Sequence, residues 1–129
     1  MSKLDKKSII GISALLVHAA NIDEIYTEQE KKLIKKFINT YLENEDSNEI
    51  LKKAEEIENN SNQLLNYTNI IKENPIEIKK DIIEHLWKVI ISDNSVDQYE
   101  SNLMRRICGL IYFPDKESAE IKLRLLNSK

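Results

Sequence analysis

From Pro75 onward, Ile78, Ile82, Ile83, Leu86, Trp87, Ile90 and Ile91 recur every third or fourth position, and this stripe constrains the fold more than any other feature. Such spacing lays the apolar side chains along one side of a helix, whereas a strand would send them alternately to two faces. An upstream run, Ile9, Ile10, Ile12, Leu15, Leu16, Val17, Ala19 and Ala20, is apolar around most of a helical circumference. A helix of that kind belongs in the centre of a bundle, so the Trp87 helix is expected to pack against it.

Five further segments repeat the pattern. Leu33, Ile34, Phe37, Ile38, Tyr41 and Leu42 stripe a helix starting near Glu28, with Lys31, Lys32, Lys35 and Lys36 toward solvent. Asp46-Ser47-Asn48-Glu49 has the spacing of a capping box, and Ile50, Leu51, Ala54 and Ile57 give the inner face of the helix it opens. After the polar stretch from Asn59 to Asn62, Leu64, Leu65, Ile70 and Ile71 mark a short helix that ends at Asn74-Pro75. A sixth helix, opened by Asp97, carries Leu103, Met104, Ile107, Cys108 and Ile111. A seventh, after Phe113-Pro114-Asp115, carries Ile121, Leu125 and Leu126. Two glycines and two prolines in 129 residues leave too few turn residues for an all-β or doubly wound fold. The predicted architecture is all-α: one domain over residues 1–129, a bundle of about seven helices built from two related helix–turn–helix halves.

Those halves carry an acidic turn each. Asp23-Glu24-Ile25-Tyr26-Thr27-Glu28-Gln29-Glu30 and Asp93-Asn94-Ser95-Val96-Asp97-Gln98-Tyr99-Glu100 follow an apolar helix and open another. In both, an Asp is followed at the third position by an apolar residue, at the fourth by a helix N-cap residue and at the seventh by Glu. Two readings fit. Thr27-x-x-Glu30 and Asp97-x-x-Glu100 are capping boxes, with Asp23 and Asp93 bonding the turn backbone. Alternatively, the two turns meet at one end of the bundle and pool Asp23, Glu30, Asp93, Asp97 and Glu100 around a divalent cation. Ca²⁺ or Mg²⁺ would suit such an all-oxygen set. The second turn is not an EF-hand, because Glu100 falls at position 8 of the loop rather than 12.

The stretches LLVHAANIDEIYTEQEKKLI and LWKVIISDNSVDQYESNLMRRI, in this order and spacing, resemble the twice-occurring signature of the TerB family of bacterial tellurite-resistance proteins. The family usually has Gly after the Asp, where this chain has Glu24 and Asn94, and many relatives carry an acidic residue in place of His18. The resemblance implies a helical, acidic, metal-associated protein without catalytic activity, acting as an accessory in stress or metal-oxyanion resistance. It also leaves open a metal-free scaffold that docks another protein, or a second copy, through its acidic surface.

The remaining features narrow the field. Residues 23–58 carry 11 acidic and 6 basic side chains, residues 101–129 carry 3 and 6, and the net charge is −3. No dense basic face with stacking aromatics arises, so nucleic acid is not an expected partner. No apolar run approaches the ~20 residues of a membrane-spanning helix, and the start lacks a signal-peptide pattern, so the expected location is the cytoplasm. A lone Cys108 in an apolar stretch reads as a buried small hydrophobe. His18 and His85 have neither the spacing nor the cysteine partners of a zinc site, and no required cofactor is expected. No nucleophile elbow, oxyanion loop or phosphate-cradling loop is present, so no catalytic residues are assigned and a metal-dependent hydrolase is the least favoured class. Trp87 is expected in the core, His85 at a boundary, and Tyr41, Tyr67, Tyr99 and Tyr112 near helix ends where they could line an interface.

Overall fold

The computed structural model describes residues 5–21, 27–43, 45–60, 64–91 and 98–127, the side chains of 64–66 and 98–100 excepted. Among the described residues all regular structure is helical: α1 (Lys6–Ala20), α2 (Glu28–Tyr41), α3 (Ser47–Asn60), α4 (Leu64–Lys72), α5 (Ile76–Ile91), α6 (Gln98–Ile111) and α7 (Asp115–Asn127). The all-α architecture read from the apolar stripes is therefore observed, with seven helices.

Helix α1 is the hub. It packs against α2, α3, α4 and α5, while α7 and α2 also lie on α5, and α6 joins α4 to α7. Its burial follows from its sequence, since ten residues from Ile9 to Ala20 are buried, Gly11 and Ser13 among them. One cluster of buried apolar side chains draws on every helix, from Ile12 and Phe37 to Ile107 and Ile121. The stripe of α5 turns inward as expected, with Ile82, Ile83, Leu86, Trp87, Ile90 and Ile91 buried and Ile78 packed at the edge.

Local signals set the helix ends. Asp5 caps α1 by accepting from the Ser8 N–H at 2.8 Å, and Asp46 accepts from the Asn48 N–H at 3.0 Å at the start of α3. Pro75 precedes α5, its carbonyl accepting from the Ile78 and Lys79 N–H groups. Helix α6 ends in a Schellman turn, where Phe113 N–H donates back to the Cys108 carbonyl at 2.8 Å. That turn holds Tyr112 at φ 60°, a left-handed position that glycine usually fills.

Two expectations are corrected. Ile57 does not lie on the inner face of α3: it is 39% exposed, and Glu58 is buried in its place. Ile50, Ala54 and Glu58 recur at intervals of four, so the face that meets α1 continues into a polar residue once α1 supplies it with partners. Tyr67 is not at a boundary but 2% exposed within the core. Tyr112, by contrast, is 70% exposed, with the Lys72 ammonium 5.4 Å from its ring centre.

Ser13, in the middle of α1, is buried and its Oγ has no hydrogen-bond partner among the described residues. An unsatisfied buried hydroxyl is destabilising, and alanine is the better helix former. Ser13→Ala is expected to raise the unfolding free energy by about 1 kcal/mol, read as a higher denaturant midpoint at unchanged slope.

Candidate functional site

The first acidic turn leads into α2 through a complete capping box. Thr27 Oγ1 accepts from the Glu30 N–H at 3.1 Å, while Glu30 Oε1 accepts from the Thr27 N–H at 2.7 Å and from the Thr27 hydroxyl at 3.2 Å. Glu30 is buried, at 3% exposure. One oxygen of its carboxylate is thus held by the helix start, as the capping reading requires. Asp23, Asp93 and Asp97 lie outside the described residues, and of Glu100 only the backbone, in the first turn of α6, is described. Among the described residues no group of three or more His, Cys, Asp or Glu side chains is arranged to hold a metal ion.

Close to the end of α1 stands a polar cluster that the sequence reading missed. His18 Nδ1 lies 3.4 Å from Glu58 Oε2, and Asn21 Nδ2 donates to Glu58 Oε1 at 3.3 Å. The side chains of His18 and Glu58 retain only 20% and 11% of their exposure, so a largely desolvated carboxylate is met by His18 of α1 and by Asn21, its C-cap residue. The His18 ring also lies 6.2 Å from that of Tyr67, so the cluster ties α1 to both α3 and α4. Beside it a hollow of about 230 Å³ opens among Asn21, Lys31, Glu55, Glu58 and Asn59. The hollow is polar, abuts the residue at which α1 ends and includes a lysine of α2. The one signal available for Glu58 was its place four residues after Ala54 on the buried register of α3.

A second cluster pins α2 to α5. The Tyr41 hydroxyl donates to the Asp81 carboxylate, His85 Nδ1 donates to the Asp81 carbonyl at 2.8 Å, and the Phe37 ring lies 5.0 Å from that of His85. His85 is half-buried, as expected of a boundary histidine. Burial, followed by the hydrogen bond to Asp81 and its charge, pushes the Tyr41 phenol well above its ordinary value. Burial also raises the Cys108 thiol, with the Asp115 charge adding to it and a hydrogen bond with Ser118 opposing it.

Both groups are neutral in the fold and ionise more readily once unfolded. Their contribution to stability is therefore complete below the unfolded values, near 8.5 for the thiol and near 10 for the phenol, and falls away above them. Denaturant melts are expected to show an unfolding free energy that declines through about pH 9–11. Tyr41→Phe should flatten the part of that decline above about pH 10.

The profile of one family, Tellurite resistance protein TerB, matches residues 10–123, and the all-helical fold is consistent with it. The chain belongs to the TerB family. No curated protein and no solved structure matches it. The matched span reaches from the second turn of α1 into α7, so the TerB domain takes in both acidic turns and the His18–Glu58 cluster. No helix among the described residues of this TerB domain is long and apolar enough to cross a membrane.

Proposed function

We propose that this TerB domain is a non-catalytic accessory protein of a cytoplasmic response to tellurite or metal stress, and that its acidic turns take up a divalent cation. The match to the tellurite-resistance family across most of the chain carries the reading. The ligand set is Asp23, Glu30, Asp93, Asp97 and Glu100, whose oxygens suit Ca²⁺ or Mg²⁺. Glu30 supports this chemistry in one respect: with Oε1 fixed by Thr27, the carboxylate is oriented, and ligating carboxylates are commonly held in this way by a hydrogen-bonded second shell.

Thermal unfolding of chelator-treated protein, titrated with Ca²⁺, Mg²⁺, Mn²⁺ and Zn²⁺, tests the reading. At an ion concentration about 100 times the dissociation constant, a specific site adds ~2.7 kcal/mol, a shift of several degrees for a domain of this size. The shift should saturate and be lost in Asp93→Ala. A destabilisation of Asp93→Ala that is the same with and without ions would reduce the turns to helix caps.

A metal-free scaffold is the second reading, favoured by the exposed carboxylates of Glu43, Glu45, Asp46, Glu49 and Glu56 between the end of α2 and the end of α3. On that reading the domain docks a basic partner protein or a second copy. Reversing these charges would then release a co-purifying partner and leave cation-dependent stability unaltered.

A further inference from the structure

The first turns of α1, the last turns of α3 and the middle of α4 line an open hollow of about 720 Å³. Protein interiors rarely leave voids much larger than a water molecule, whereas small-molecule sites occupy roughly 300–1,000 Å³ and are mostly apolar with a few polar groups. The hollow has that character. Ile10 and Gly11 of α1, Ile57 of α3 and Tyr67 and Ile70 of α4 make its apolar wall. The exposure of Ile57, which interrupts the buried register of α3, is thereby accounted for: it lines the hollow rather than the core.

Gly11 sets the depth. A Cβ there would sit 2.4 Å from Ile70 Cδ1, so glycine lets the tip of Ile70 fold against α1 instead of projecting into the space.

The lining also carries charge of one predominant sign. Lys6, Lys7 and Lys53 contribute to it against the single carboxylate of Glu56. Two of these lysines are answered from outside the hollow, Lys6 by Glu45 at 3.0 Å and Lys53 by Glu49 at 3.7 Å, and Lys7 forms no ion pair among the described residues. Lysine stems extend an apolar wall while their ammonium heads stay in water. A ligand that satisfies both parts has a hydrocarbon body and an anionic head. A cationic amphiphile would meet the ammonium of Lys7 and the outward-paired heads of Lys6 and Lys53, with Glu56 as the one carboxylate in the lining, and a small hydrophilic anion would leave the apolar wall uncovered.

We infer that the α1–α3–α4 hollow binds a free anionic amphiphile, a fatty-acid-like carboxylate whose chain lies along Ile10, Ile57 and Ile70 and whose head is held by Lys7 with Lys53 and Lys6. The inference does not rest on the acidic turns: none of the residues that carry it belongs to them.

Calorimetric titration of the full chain with dodecanoate below its micelle concentration tests it, with dodecyltrimethylammonium as the control of opposite charge. Dodecanoate should bind saturably, one per chain, and the ammonium analogue about tenfold more weakly or not at all. Lys7→Glu combined with Lys53→Glu should weaken dodecanoate by about tenfold or more, since two charges that attract the carboxylate become charges that repel it. Ile57→Trp, made at a half-exposed position, should fill the hollow and abolish binding at an unchanged helical circular dichroism spectrum. Gly11→Ala, which drives Ile70 into the space, should weaken binding and serves if the Trp variant fails to fold. Equal binding of both amphiphiles, or dodecanoate binding that both filling variants leave intact, would overturn the inference. So would capture by phosphatidylglycerol vesicles without uptake of the free acid, because the surface would then be a membrane contact.

Discussion

Trp87→Ala is expected to lower the unfolding free energy by about 4 kcal/mol, and the melting temperature by roughly 15 °C. Three contributions converge on this side chain. The ring is 4% exposed in the layer where α5 meets α7, and its removal costs the transfer free energy of a large aromatic together with the cavity left behind. Its indole N–H donates to Ser118 Oγ at 2.9 Å, a buried bond that reaches across to α7. The Lys122 ammonium sits 5.4 Å from the ring centre and gains from the aromatic face. Trp87→Phe keeps most of the apolar area, loses the bond to Ser118 and should cost clearly less than Trp87→Ala. A loss below about 1.5 kcal/mol for Trp87→Ala would contradict the burial on which the packing of α7 rests.

Phe37→Ala should cost nearly as much, about 3–5 kcal/mol, and through a different seam. Phe37 is fully buried on α2, with the Tyr41 ring 5.1 Å away on the same helix and the His85 ring 5.0 Å away on α5. The Tyr41–Asp81 hydrogen bond lies beside it, so the cavity would open against a polar contact that needs α2 and α5 in register. The prediction is a lower denaturant midpoint with an unchanged slope, the mark of lost stability within a two-state transition. A changed slope would mean instead that α2 detaches and the denatured or native ensemble has altered its exposed surface.

These two seams show what the sequence makes legible. Phe37 and Trp87 sit on stripes whose period is fixed by helix geometry, so their burial follows from local spacing, as do the Thr27–Glu30 box and the scarcity of turn residues. Glu58, Tyr41 and Asp81 are different. Glu58 is buried because His18 and Asn21, 40 and 37 positions away, supply its partners, and Asp81 receives a hydroxyl 40 positions distant. Periodicity identifies an apolar face but not the helix that will meet its polar edge, so Ile57 and Glu58 exchange the places that spacing gives them. Tyr67 departs from a boundary position for a related reason: a tyrosine on a short helix is amphipathic, and only the packing of α4 on α1 decides that its ring goes inside. For the proposed cation set, the sequence supplies the residue types and their repetition, and of the five side chains the described structure shows only that of Glu30, held in its capping box.

The proposal that the two acidic turns act together on one divalent cation is tested most directly by calorimetric titration of chelator-treated protein with Ca²⁺ and with Mg²⁺. Pooling of Asp23 and Asp93 predicts one ion bound per chain, with the heat of binding lost in Asp23→Ala and lost equally in Asp93→Ala. An absence of binding heat for either ion, or loss in one variant while the other binds as the parent does, would contradict it.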